Sequence, residues 1–266
     1  MRKMPFVHTP ENLFVFLGRK IMTFFEDVGG LALFVKDLLL GLPQAVVHFH
    51  LTLDQMLMMG VNSLPLVALV SVFTGAVTAV QAVYQISEYI PVRYLGTAVG
   101  KSVLMELAPV LTALVVAGRV GAGIAAELGT MKVTEQIDAL ETLALDPVDY
   151  LVVPRFVAGL VMLPLLTIFS DAIALAGGMG ISATTLHVPP PVFLNGLKAF
   201  FKTMDLMSGL FKAFVFGGII SIIGCYQGFK TYGGAEGVGR STTRAVVLSS
   251  VLILISDYIV ATILFG

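Results

Sequence analysis

Glu106-Leu-Ala-Pro-Val-Leu-Thr-Ala-Leu-Val-Val-Ala-Gly-Arg-Val-Gly-Ala-Gly-Ile-Ala-Ala-Glu-Leu-Gly-Thr-Met-Lys-Val-Thr-Glu-Gln-Ile-Asp-Ala-Leu-Glu141 is the stretch that decides the fold. Its first half is apolar and rich in small residues, and its second half is polar, acidic and helix-forming. The change falls near Arg119. The first half reads as a membrane-spanning helix. The second reads as a helix outside the bilayer, offered to a soluble partner.

Composition supports the membrane reading. The chain is 57% hydrophobic and only 12% charged, against about 25% charge in a typical soluble domain. A net charge of −1 gives no nucleic-acid footprint. Cys225 is the single cysteine, which excludes an internal disulfide; in its apolar run it reads as a small packing residue. The first 20 residues lack an apolar core followed by a small-residue cleavage site, so no cleavable signal peptide is expected.

The expected fold is an all-α polytopic membrane protein. Residues 1–56 form an N-terminal interfacial region, in which Phe14, Leu17, Ile21, Phe24, Phe25 and Val28 recur at helical spacing. Arg19, Lys20, Glu26 and Asp27 interrupt that pattern, which suits an amphipathic helix lying in the membrane interface. Pro43 is expected to end it. Residues 57–266 form the transmembrane domain. Spanning requires about 20 apolar residues, and five stretches qualify: about 59–84, 102–126, 156–183, 210–229 and 245–265. Residues 86–101 read as a loop. Val188-Pro-Pro-Pro191 stops the third span, and Phe193, Leu197, Phe200 and Phe201 then form a short amphipathic helix. Eleven of the 16 Lys and Arg residues fall on the N-terminal side of the five spans, among them Arg2, Lys3, Lys230, Arg240 and Arg244. The other side holds Arg93, Lys101, Lys198 and Lys202, with Lys212 at a boundary. The bias predicts a cytoplasmic N-terminus and an external C-terminus.

Small residues mark close packing. Ala113, Ala117, Gly121 and Ala125 form a ladder on one face, and Gly224 and Gly228 form a GxxxG pair. The sequence leaves open whether these faces meet within one chain or across a dimer. Pro65, Pro109 and Pro164 lie within spans, where each frees a backbone carbonyl.

Three carboxylates fall inside spans: Glu106, Asp171 and Asp257. An intramembrane carboxylate costs about 2.5–3.5 kcal/mol or more and usually faces protein or water, so each is a functional candidate; the plainer reading is an interhelical hydrogen bond. Lys101 or Lys212 is a possible partner, and the sequence does not choose between them. Gln81 and Gln85, one turn apart, either line a polar path or cap the outer end of the first span.

Other motifs fail. Gly96-Thr-Ala-Val-Gly-Lys-Ser102 is one residue short of a phosphate loop and precedes a span instead of following a strand, so no ATP hydrolysis is expected of this chain itself. His8, His48, His50 and His187 have neither HExxH spacing nor Cys partners, so no metal site is expected. No Gly-x-Ser-x-Gly elbow occurs and no catalytic residues are assigned.

Gly129-Thr-Met-Lys-Val-Thr-Glu-Gln-Ile-Asp-Ala-Leu-Glu-Thr-Leu143 is the most informative loop. Met131, Ile137, Leu140 and Leu143 lie on or near one apolar side, and Glu135, Asp138 and Glu141 lie on the polar side. Asp146-Pro147 ends it. Such a helix suits docking into a groove of a cytoplasmic subunit.

At these residues the chain resembles a known family. Glu106-Leu-Ala-Pro-Val-Leu-Thr-Ala-Leu114, Ala117-Gly-Arg-Val-Gly-Ala122, Ala126-Glu-Leu-Gly-Thr-Met131 and Val133-Thr-Glu-Gln-Ile-Asp-Ala-Leu-Glu141 look like the MlaE permeases. Asp146-Pro147, Val153-Pro-Arg-Phe-Val-Ala-Gly159 and Leu163-Pro-Leu-Leu166 continue the likeness, which covers most of the chain from about residue 45. Those permeases are membrane subunits of ABC transporters that carry lipids between the inner and outer membranes of Gram-negative bacteria, with relatives in chloroplasts. The resemblance implies a homodimer in the bacterial inner membrane, a cytoplasmic ABC ATPase that binds ATP and Mg, a periplasmic hexamer of MCE-domain proteins, and phospholipid as cargo. It assigns coupling to the ATPase to Glu135 and Gln136 and the helix around them, with Met131, Thr134, Asp138 and Glu141. Glu106 matches the acidic residue of an Arg-Glu-Leu-x-Pro pattern, but Met105 stands where the Arg belongs, and Lys101 one turn back is the expected substitute. Asp257 also resembles a family feature. Spacing along the first span suggests Leu66, Val70, Phe73, Val77 and Val80 as the lipid-facing wall. The competing reading is an ion- or proton-coupled secondary carrier with Glu106, Asp171 and Asp257 as its relay; it predicts inverted repeats, and none is visible.

Overall fold

The computed structural model describes residues 13–46, 49–85, 91 and 94–265. Arg2, Lys3, His8, His48 and Arg93 lie outside the described residues, as do the side chains of Phe14, Leu17, Arg19 and Phe24. Among the described residues the elements are helical and there is no strand.

The N-terminal helix α1 (Leu13–Gly41) passes into a 3-10 turn at Leu42–Val46, where Pro43 stops it. Helix α2 (Phe49–Met59) and helix α3 (Leu64–Gln85) are joined by a 3-10 turn at Val61–Ser63. Pro65 therefore sits in the first turn of α3, where its missing N–H costs nothing, and it does not kink a span. One long rod runs from α4 (Leu95–Ser102) through α5 (Ala108–Val116) to α6 (Ala122–Val133). Two π-helical turns, Val103–Leu107 and Ala117–Gly121, interrupt it. Short helix α7 (Gln136–Thr142) follows. A π-turn at Val148–Val152 leads into α8 (Val153–Thr184), then come α9 (Pro190–Phe200), α10 (Thr203–Phe229) and α11 (Gly234–Phe265).

The helices outrun the apolar stretches read from sequence. Residues 95–101, expected in a loop, are helical, because α4 packs on α9 and extends the second span at its N-terminal end. By length and composition six segments among the described residues are able to cross a membrane. The one beyond the expected five is Lys20–Ala45, which is mostly exposed on the surface of the bundle.

Small residues set the packing. Val67, Ser71, Gly75 and Ala79 recur every fourth residue on α3 and are all buried. They run parallel to Ser170, Ala174 and Gly178 of α8: the Ser71 and Ser170 hydroxyls are 2.7 Å apart, and a Cβ on Gly75 would strike the Ala174 carbonyl. Without a hydrophobic drive between helices in lipid, such close backbone approach and interhelical hydrogen bonds hold the pair. Gly224 and Gly228 of α10 meet the Gly121 carbonyl, Ile124 and Leu128. The small-residue ladder and the GxxxG pair thus meet within one chain. Gly96 of the false phosphate loop packs on the Phe193 backbone of α9. Its glycine serves helix contact.

The larger core, built around Leu128, Ile137, Leu151, Phe216 and Ile220, sits toward the α6–α7 end. A smaller one around Leu95, Val99, Ala174 and Phe193 sits toward α9.

Candidate functional site: a buried lysine between two carboxylates

Glu106 lies in the first π-turn of the long rod. Three residues on, Pro109 brings no N–H to the ladder, and the wider turn absorbs the mismatch before α5 resumes. Lys212 projects from α10 and Asp257 from α11. Lys212 Nζ donates to Glu106 Oε2 at 2.6 Å. It also lies 2.9 Å from Asp257 Oδ1, close enough for an ion pair but outside hydrogen-bonding geometry. The Lys212 side chain is 0% exposed, whereas Glu106 and Asp257 keep 44% and 21% of their side chains exposed. A buried ammonium is tolerable only with close counter-charges, and here two helices supply one each.

Glu106 forms part of the wall of an open cleft of about 510 Å³. Thr78, Gln81 and Gln85 of α3 and Ser102 of the rod also line it. Gln81 and Gln85 are therefore cleft residues beside the ion cluster.

Lys101 does not serve Glu106. It lies 3.7 Å from Asp205, whose carboxylate also accepts from the Lys202 backbone N–H. Of the two lysines the sequence left open, Lys212 is the partner of Glu106, because α10 crosses the rod at the π-turn. Asp171 does not join the cluster. It is 4% exposed on α8, and neither carboxyl oxygen has a hydrogen-bond partner among the described residues. The wall suggested on α3 lies on its outer face, opposite the buried stripe. Leu66, Phe73, Val77 and Val80 are 39–61% exposed and Val70 is half-buried, and none of the five lines the Glu106 cleft.

The acidic hinge forms differently from a single amphipathic helix. Helix α6 ends at Val133 and α7 starts at Gln136, with Glu135 between them in the left-handed region at φ 61°. Ile137 is buried, and Met131 and Leu140 pack on the main core. Thr134, Glu135, Gln136, Asp138 and Glu141 are exposed. Lys132 Nζ holds Asp138 Oδ1 at 2.6 Å, and Gln136 Nε2 donates to Thr134 Oγ1 at 3.0 Å. Leu143, expected on the apolar side, is 70% exposed, because α7 has already ended at Thr142.

Sequence reasoning missed Arg155. It entered within the Val153–Gly159 likeness, with no role of its own, yet it is 4% exposed at the start of α8. Its guanidinium pairs with Glu127 Oε1 at 2.8 Å and donates to the Leu151 carbonyl at 2.7 Å. This pair ties α6, which leads to the acidic hinge, to α8.

Long apolar helices, a charged cluster inside them beside a cleft, and an exposed acidic hinge at one end define a polytopic membrane transport subunit. The model of the permease MlaE family matches residues 52–263. A probable ABC transporter permease protein of Rickettsia typhi is 43% identical over 254 residues, covering 96% of this chain and 98% of the relative. The intermembrane phospholipid transport system permease protein MlaE of Haemophilus influenzae is 34% identical over 256 residues, 96% of this chain and 98% of its own. The chloroplastic protein TRIGALACTOSYLDIACYLGLYCEROL 1 of Arabidopsis thaliana is 37% identical over 229 residues, covering 86% of this chain and 65% of its own length. The chain belongs to the MlaE permease family. It is an ABC-transporter permease, a transport subunit.

Proposed function

We propose that this protein is the membrane half of a phospholipid transporter between inner and outer membranes, powered by a separate ABC ATPase that binds ATP and Mg. The observation that carries the reading is family membership over most of the chain, including a relative named for intermembrane phospholipid transport. The ion cluster beside the cleft supports it. A zwitterionic or anionic headgroup needs polar company within the bilayer, and Gln81, Gln85 and Glu106 border an opening on the outside of the bundle.

In this reading two copies of the chain face each other in the inner membrane, with the N-terminus cytoplasmic and the C-terminus periplasmic. A periplasmic hexamer of MCE-domain proteins receives or delivers the lipid. The exposed acidic residues Glu135, Asp138 and Glu141, with Met131, Thr134 and Gln136, meet the ATPase. Closure of the ATPase pair pushes on α7, and the Glu127–Arg155 pair passes that movement from α6 to α8. The rod then shifts at its π-turns and changes the opening beside Glu106. Leu66, Val70, Phe73, Val77 and Val80 present the apolar face along which acyl chains move.

Affinity purification from native membranes in mild detergent, with mass spectrometry of bound proteins and lipids, tests this. Recovery of an ATPase, an MCE-domain protein and phospholipid with the chain is the expected result. A bare chain that shows proton-dependent flux in liposomes would favour a secondary carrier instead.

A further inference from the structure

At the end of the bundle remote from the Glu106 cleft, α10 gives way to α11 beside a second cleft of about 540 Å³. Lys230 stands 18 residues beyond Lys212, about 27 Å along the helix axis. Three cations line this cleft, Lys230, Arg240 and Arg244, against one carboxylate, Asp27 of α1. Asp27 is taken up by its ion pair with Lys230. Arg240 has only the loose contact of 3.7 Å with the 90%-exposed Glu236. Arg244 has no ion pair among the described residues. Two excess positive charges therefore face an open cavity.

Beyond the cations the lining along α11 turns apolar. Arg240 and Arg244 are one turn apart, and Val247 and Leu248 follow on the same side of α11 and line the same cleft. Both are substantially exposed, and exposed Val251, Leu254 and Ile255 prolong the stripe into the span. A basic head leading into an apolar groove at a helix end matches an amphiphile that carries an anionic group. A soluble anion has no use for the groove. A second copy of the chain, meeting this face across a two-fold axis, would set cations against cations. Basic pockets between membrane helices are where anionic lipid headgroups are held.

We propose that this cleft binds an anionic phospholipid of the adjacent leaflet, its headgroup between Lys230, Arg240 and Arg244 and an acyl chain along Val247, Leu248 and Val251. This lipid is distinct from the cargo: it sits at the other end of the bundle and its binding does not depend on transport.

Native mass spectrometry of the full-length chain with its ATPase, titrated with phosphatidylglycerol or phosphatidylcholine, reads the site directly. Each basic side chain is expected to strengthen phosphatidylglycerol binding about five-fold, so R240Q/R244Q weakens it about 30-fold and leaves phosphatidylcholine binding unchanged. K36Q, which removes an exposed charge on α1 away from the cleft, stays within about two-fold. If the double variant does not assemble, R244Q alone, with an expected loss of about five-fold, decides the matter. Four results would overturn the proposal: unchanged phosphatidylglycerol binding, an equal loss in K36Q, displacement by inorganic phosphate alone, or altered subunit stoichiometry with lipid binding intact.

Discussion

Lys212 and Glu106, 106 residues apart in the chain, form a 2.6 Å ion pair inside the helical bundle, and the lysine is wholly buried. The pair joins α10 to the rod at the π-turn, and Asp257 brings α11 to the same ammonium. Removing the cation leaves two partly exposed carboxylates facing each other without a counter-charge. Lys212→Met is therefore expected to destabilise the fold, by less than the roughly 3–5 kcal/mol of a fully buried orphan charge. The triple variant K212M/E106Q/D257N, which removes all the charge, should recover much of the melting temperature and still lack transport. Thermal melting in detergent beside a transport assay separates the two effects. Equal stability of Lys212→Met and wild type would deny the cluster its structural role.

Asp171 behaves in the opposite way. It has no partner among the described residues, and an unpaired carboxylate within a span is costly. Asp171→Asn should melt at the same temperature or higher and retain transport. Loss of transport with intact assembly would draw Asp171 into the site.

Much of this was legible in the sequence. The apolar runs gave the spans. The break expected near Arg119 does not occur there: Ile124, Ala125 and Leu128 are still buried in the bundle, and the rod runs on to Val133 before the acidic hinge. Small-residue spacing marked the contact between α6 and α10. Helix limits were less legible, since hydropathy reports the bilayer while hydrogen bonding carries helices such as α4 beyond it. The partner of Glu106 was hidden for a different reason. Lys212 falls at the edge of the fourth apolar stretch, where a lysine ordinarily reaches for water, yet α10 begins nine residues earlier at Thr203. Only the crossing of α10 with the π-turn buries it. Arg155 was obscured similarly, because a charge beside Pro154 at a helix start reads as interfacial.

Packing of α3 on α8 depends on the absence of a side chain at Gly75. Gly75→Val drives carbon into the Ala174 carbonyl and should cost about 1–3 kcal/mol. Gly239→Ala, where nothing lies within 4 Å, should be neutral or raise stability by up to about 1 kcal/mol. The order of the two melting temperatures checks the seam.

Coupling is expected to reside in the Glu135 hinge. Glu135→Lys should stay in the membrane but lose co-purification with the ATPase. Glu135→Gly suits the backbone at φ 61° and should fold at least as well, yet bind the ATPase more weakly for want of the carboxylate. Unchanged co-purification in both variants would remove Glu135 from the interface.

Attachment of α1 to α10 is pH-dependent in a defined direction. A hydrogen bond to Asp27 raises the Lys230 ammonium above its ordinary 10.5, outweighing partial burial. A raised lysine value means the contact stabilises fully below 10.5 and is lost as pH rises through the folded value. Phe34 packs edge-on against Tyr226 and Phe229, and the chain has no Trp. Phe34→Trp in the isolated permease should therefore report a steady environment from neutral pH to about 10 and a change only above it. Adding Lys230→Met should produce that change at neutral pH.

The most direct test of the account is ATP-dependent transfer of a labelled phospholipid by proteoliposomes holding the permease and its ATPase. Wild type should transfer lipid only with ATP and the ATPase present, and Lys212→Met incorporated in equal amount should transfer none. Transfer that persists without the ATPase, or that follows an imposed proton gradient in place of ATP, would contradict it.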